Sequence, residues 1–124
     1  MAVTATHHFS FSLSESTTRR ELGLSQPIET TISGAFGHGP GYLLIGFAAS
    51  EEISFGDITP GWCVVKNLGD DSVEIGPYVG GVLVPFIEVP PGCSFPFYFA
   101  SGVTVHAQAT GSSAVGIQID ALNR

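Results

Sequence analysis

Strict alternation of apolar and polar residues near the C-terminal end constrains the fold more than any other feature of the chain. Val103, Val105, Ala107 and Ala109 alternate with Thr104, His106 and Gln108. After Thr110-Gly111-Ser112-Ser113 the pattern resumes, with Val115, Ile117 and Ile119 against Gly116, Gln118 and Asp120. A period of two puts successive side chains on opposite faces of a sheet, so each segment is a half-buried strand. The turn residues between them mark a hairpin.

The same pattern runs back along the chain. Phe9, Phe11 and Leu13 alternate with Ser10, Ser12 and Ser14, and Ile28, Thr30 and Ile32 give a second strand. The part between them, 15–27, is polar and turn-rich. Residues 42–47 form a continuous apolar run, expected to be buried on both faces. The strand 62–68 is followed by Gly69-Asp70-Asp71-Ser72, a hairpin turn after which 73–75 pairs back. Residues 76–81, with three glycines and a proline, read as a loop. The strand 82–89 contains Pro85, which cannot donate a ladder hydrogen bond, so this strand lies at an edge or carries a bulge. After Pro90-Pro91-Gly92, Phe95, Phe97 and Phe99 share one face, with Pro96 and Tyr98 on the other. No segment keeps a 3.6-residue period over helical length. The expected fold is all-β: an antiparallel β-sandwich or jelly-roll-like barrel of about nine or ten short strands. Residues 1–124 make a single domain, with 1–8 as a flexible N-terminal arm.

Charge narrows the partners. Only 12% of residues are charged, about half the usual share, while 44% are hydrophobic. Such a surface suits a protein that packs against neighbours. The net charge is -7, and the basic residues are Arg19, Arg20, Lys66 and Arg124. Without a basic stripe to neutralise phosphates, nucleic acid is not an expected partner, and neither is an anionic membrane. No apolar run approaches the ~20 residues that span a bilayer. Residues 1–8 lack the basic and apolar regions of a signal peptide, so synthesis in a cytoplasm is expected. Cys63, within Trp62-Cys63-Val64-Val65, reads as a small core hydrophobe, and Cys93 follows a turn; both are expected as free thiols. Trp62 is expected to be largely buried.

Residue types that carry chemistry are dispersed. His7 and His8 are adjacent, His38 lies in a glycine loop, and His106 shares a solvated strand face with Thr104 and Gln108. They do not form a converging metal-ligand pattern. There is no G-x-S-x-G elbow. Glu51-Glu52 and Asp70-Asp71 are neighbours in sequence, whereas glycosidase carboxylates face each other across a sugar. The glycine loops lack the lysine and following helix of a phosphate cradle. The chain therefore reads as a non-enzyme without catalytic residues, cofactor or metal. Tyr42, Tyr78 and Tyr98 have two readings: a sugar-stacking platform, or core and interface residues.

Thr59-Pro60-Gly61-Trp62-Cys63-Val64-Val65-Lys66-Asn67-Leu68, then Val73-Glu74-Ile75-Gly76, then Phe86-Ile87-Glu88-Val89-Pro90-Pro91-Gly92, form an order that resembles small β-sheet proteins of tailed-bacteriophage structural gene clusters. Asn67-Leu68, Glu74-Ile75-Gly76 and Pro91-Gly92 carry the resemblance best, over the last half of the chain. It implies a non-enzymatic virion structural protein, assembled in the host cytoplasm. The leading expectation is a capsid decoration (cement) protein on the capsid surface, a homotrimer that clamps the major capsid protein. The alternatives are a tail, neck or head-fibre component, or a carbohydrate-binding or host-surface adhesion module. The candidate interface residues are Phe9 and Phe11 of the first strand, which would add to a neighbour's sheet, and Arg19 and Arg20, whose planar forks suit carboxylates.

Overall fold

Short runs of β-branched and small residues broken by Gly, Pro and Asp produce strands throughout. In the computed structural model, which describes residues 3–7, 10–15, 18–23, 28–32, 38–56 and 59–123, every helix or strand element is a strand. The chain separates into two compact units, Met1–Ser33 and Gly34–Arg124.

The first unit is a set of nested antiparallel pairs. β2 (Ser10–Glu15) pairs with β3 (Thr18–Gly23), from Ser10 opposite Gly23 to Glu15 opposite Thr18. Outside them β1 (Val3–His7) pairs with β4 (Ile28–Ile32), from Val3 opposite Ile32 to His7 opposite Ile28. Residues 1–8, expected as an arm, thus include a paired strand. The polar segment after Glu15, expected as turns, includes β3. Its strand character comes from pairing with β2, which local composition does not display.

The second unit is a sandwich. Its strands are β5 (His38–Ile45), β6 (Glu51–Glu52), β7 (Pro60–Asn67), β8 (Val73–Val79), β9 (Val82–Leu83), β10 (Ile87–Val89), β11 (Ser94–Tyr98), β12 (Val105–Ala109) and β13 (Val115–Asn123). One sheet runs β5-β13-β7-β11 and the other β6-β12-β8-β10, with β9 also paired to β8. All pairings are antiparallel. Apart from the β8-β9-β10 stretch, consecutive strands change sheet, the winding of a jelly roll. The core lies between the sheets. Ile45, Cys63, Val65, Ile117 and Ile119 come from one side, and Val73, Ile75, Val89, Val105 and Ala107 from the other.

Both expected hairpins are corrected. β12 pairs with β8 and β6, while β13 pairs with β5 and β7. β7 and β8 likewise belong to different sheets. The links 68–72 and 110–114 are arches that cross the sandwich. Alternation shows which residues face the core, and a strand across the core satisfies it as well as a neighbour in the same sheet. Backbone bonds tie the arches down: Leu68 N–H donates to Gly116 O of β13 at 2.9 Å, and Thr110 N–H joins the second arch to Ser72 O of the first at 3.0 Å. Asn67, fully buried, holds the first arch. Its Nδ2 donates to Asp71 O at 2.7 Å and Val89 O at 2.9 Å, and its Oδ1 accepts from Gly69 N–H at 2.8 Å.

The expected loop 76–81 is mostly strand. β8 continues to Val79, and Gly80 (φ 61°) and Gly81 (φ 82°) then make a two-residue turn into β9. Positive φ at both central positions is the hairpin geometry that glycine permits. Pro85 does what its missing N–H requires. It splits the expected strand 82–89 into β9 and β10 at a sheet edge, with Val84 N–H donating to Pro77 O and Phe86 N–H to Ile75 O on either side. The Val84 carbonyl occupies the space that a Cβ at Gly76 would need. This accounts for glycine after Glu74-Ile75.

Candidate functional site

Inward placement of Cys63, Val65 and Asn67 on β7 forces Trp62, Val64 and Lys66 outward. Strand register then assembles the outer face of the β5-β13-β7-β11 sheet. One row is Tyr42, Gln118, Lys66 and Ser94; the next is Pro40, Asp120, Val64 and Pro96. Trp62 lies opposite Tyr98, and Leu44 opposite Gly116. Tyr42 is 61% exposed and Leu44 60%, with Val64 and Tyr98 also exposed. The face is thus mainly aromatic and aliphatic, and Lys66 and Asp120 are the charged residues within these rows.

Its details are ordered. Trp62 meets Tyr98 edge-on, with ring centroids 5.1 Å apart at 83°. Tyr42 reaches across β13, where a Cβ at position 116 would come 2.6 Å from the Tyr42 hydroxyl. Gln118 Nε2 donates to Asp120 Oδ1 at 3.1 Å, so these polar groups partly satisfy one another. Trp62 is half-buried on the outer face, which corrects the expectation of a core tryptophan. The run 42–47 is corrected in the same way. Ile45 is buried and Leu43 packs against the core, while Tyr42, Leu44 and Phe47 are exposed.

The aromatic segment follows its alternation in part: Phe97 and Phe99 pack at the core, while Phe95 is exposed. Phe97 and Phe99 contact edge-on at 4.7 Å, and Phe55 meets Phe99 at 5.0 Å. Between the edge strands β10 and β11 the sandwich opens into an apolar cavity of about 240 Å³ lined by Ile75, Phe86, Ile87, Phe97, Phe99 and Val103, among others. Phe86, 85% exposed, stands at this cavity.

The sequence-predicted interface residues belong to the first unit, where register places three of them. Phe9 lies outside the described residues. Phe11 is on β2 opposite Leu22, Arg19 is opposite Ser14 and Arg20 opposite Leu13. The three-tyrosine platform does not form: Tyr42 and Tyr98 stand on the two edge strands of one sheet, and Tyr78 is on the other sheet. Sequence reading missed Trp62, Val64 and Leu44 as surface residues. The signal was present in Lys66, which has the same strand parity as Val64 and Trp62.

Chemical groups elsewhere are few. Ser50 Oγ lies 3.2 Å from His106 Nδ1. Among the described residues no three His, Cys, Asp or Glu side chains converge on a possible metal position. Both cysteines are free; Cys93 is exposed and Cys63 buried. Burial, aided by the nearby Asp120 charge, pushes the Cys63 thiol up to about 12. At neutral pH it is therefore a protonated core side chain and not a nucleophile. Compared with protein-family models, curated proteins and solved structures, the chain finds no match.

Proposed function

We propose that this chain is a non-enzymatic virion structural protein, a capsid decoration protein that sits on the shell and clamps neighbouring copies of the major capsid protein. The observation that carries the reading is the apolar outer face of the β5-β13-β7-β11 sheet, presented by a chain with only 12% charged residues. An exposed, mainly aromatic and aliphatic face marks an interaction surface. The occupant we assign to it is a second copy of this chain, in a trimer closed by rotational symmetry. Lys66 and Asp120 lie on the same face, so copies can meet with opposite charges facing.

The face is not sufficient by itself. Four strands of this length cover on the order of 500 Å², short of the ~800 Å² per partner of a standard interface. The nested pairs of the first unit supply a second attachment. Two-stranded antiparallel pairs are marginal alone, and among the described residues no further strand joins either one. Their outer edges suit strand addition to a neighbouring subunit. A clamp that binds only the assembled lattice stabilises it by mass action.

The test is made on particles. Mass spectrometry of purified virions should find the chain at a fixed stoichiometry to the major capsid protein. Particles from a deletion strain should release DNA at a lower temperature. Absence from virions overturns the reading, and so does equal robustness of particles without the protein.

A further inference from the structure

The outer face of the other sheet holds a different feature, a mixed polar and apolar cavity of about 340 Å³. Glu74 on β8 and Gln108 on β12, directly paired, belong to its lining. The β8–β9 hairpin contributes Tyr78 and Leu83, and the β5–β6 link contributes Ser50. That link is fixed by side chains. Gln108 Nε2 donates to Phe47 O at 2.8 Å, and Glu51 Oε2 accepts from Gly46 N–H at 3.2 Å.

Tyr78 is held by stacking. Its ring stacks on the His106 imidazole with centroids 3.8 Å apart and planes 9° from parallel, and Ser50 Oγ lies within hydrogen-bond reach of the same imidazole. Tyr78 lines the cavity and His106 does not. The imidazole therefore backs one side of the phenol, and Tyr78 itself, 41% exposed, is part of the cavity lining. The site thus joins an aromatic wall to a carboxylate, an amide and a hydroxyl.

We propose that this cavity binds a neutral pyranose. A sugar ring has an apolar C–H face that packs on an aromatic ring, and hydroxyls around its rim. The half-buried Glu74 carboxylate is acceptor-only and takes two hydroxyl donors, as adjacent sugar hydroxyls present them. Gln108 keeps its carbonyl oxygen and a second N–H for the ligand. Glu74 lies directly opposite Glu88 across the sheet, and this negative pair disfavours sialic and uronic acids. The inference is independent of the virion reading, because it uses the opposite sheet and none of the Tyr42, Val64 or Trp62 face.

The experiment titrates the full chain with neutral hexoses and N-acetylhexosamines, as monosaccharides and as oligosaccharides. Sialylated and uronic-acid glycans and a basic peptide form the comparison arms. Neutral sugars should bind at millimolar or lower concentration. The monosaccharide and oligosaccharide arms tell whether the pocket takes a free sugar or one unit of a polymer. Tyr78→Ala should weaken binding about tenfold or more, as removal of a central aromatic anchor does, whereas Tyr78→Phe retains it. Glu74→Gln should weaken it to a similar degree. Should Tyr78→Ala fail to fold by thermal melting, Glu74→Gln, at a surface position, carries the test. Absence of neutral-sugar binding, full binding by Glu74→Gln and Tyr78→Ala, or preference for acidic glycans or the basic peptide overturns the proposal.

Discussion

The two outer faces of the sandwich share one scaffold and differ in what they can hold. Both sheets send Ile, Val and Ala inward by the same alternation. Outward, the β5-β13-β7-β11 sheet carries Trp62 against Tyr98, Tyr42 across Gly116, and exposed Val64 and Leu44. The β6-β12-β8-β10 sheet carries Glu74, Glu88, Gln108 and His106, and the Val84–Phe86 backbone folds over it at Gly76. The core chemistry determines that a sandwich forms. The outward residues make one face mainly aromatic and aliphatic and the other mainly polar, and the two proposals rest on that difference.

The largest expected effect removes the element that both faces rely on. Asn67→Ala strips three hydrogen bonds from the first arch and leaves Val89 O, Asp71 O and Gly69 N–H without that partner. It should cost about 3 kcal/mol in denaturant unfolding, because buried groups lose their satisfaction. A loss under ~1 kcal/mol would show that the arch is held by other contacts. Gly76→Ala should separate the faces. Its methyl displaces the Val84 carbonyl, so we expect about 2 kcal/mol of destabilisation, with amide chemical-shift changes concentrated in β8, β9 and β10. Changes spread equally over β5 and β7 would contradict the separation.

Trp62→Ala comes next. A half-buried outer-face tryptophan should cost the isolated domain about 1–2 kcal/mol, less than the 3–5 kcal/mol of a buried one. A loss in the higher range would return Trp62 to the core.

The smallest effect at neutral pH concerns Cys63. Its folded value of about 12 exceeds the ordinary 9.0, first through burial and second through Asp120. The folded state thus keeps a proton that the unfolded state loses. The Cys63 contribution is fully present below pH 9 and is lost as pH rises toward 12. A thiol reagent at neutral pH should label Cys93 at once and Cys63 only on unfolding.

The strand content, the face shared by Phe97 and Phe99, and the edge-or-bulge role of Pro85 were legible from residue pattern. Strand partners were not. The Asp70-Asp71 and Ser112-Ser113 segments have turn chemistry, yet the same residues serve arches between sheets, and nothing local separates the two. The outer face was partly legible through the parity of Lys66 with Val64 and Trp62. The run 42–47 hid its alternation because its outward residues are apolar too. The Tyr78 cavity was not legible, since it joins the β5–β6 link to β8 and β12 across long stretches of chain. Asn67 and Gly92 meet through the backbone, Gly92 N–H donating to Asn67 O at 3.1 Å, so the Asn67-Leu68 and Pro91-Gly92 motifs singled out in the sequence lie at one joint.

Sedimentation equilibrium of the full chain beside Val64→Glu/Leu44→Glu tests the central claim, that the aromatic sheet face is covered by a second copy. Both substituted positions are exposed, so the variant should melt close to the parent. The account predicts a trimer for the parent at tens of micromolar, roughly the range of weak interfaces, and a monomer for the folded variant. A parent that is monomeric at these concentrations, or a variant that remains a trimer, would contradict it.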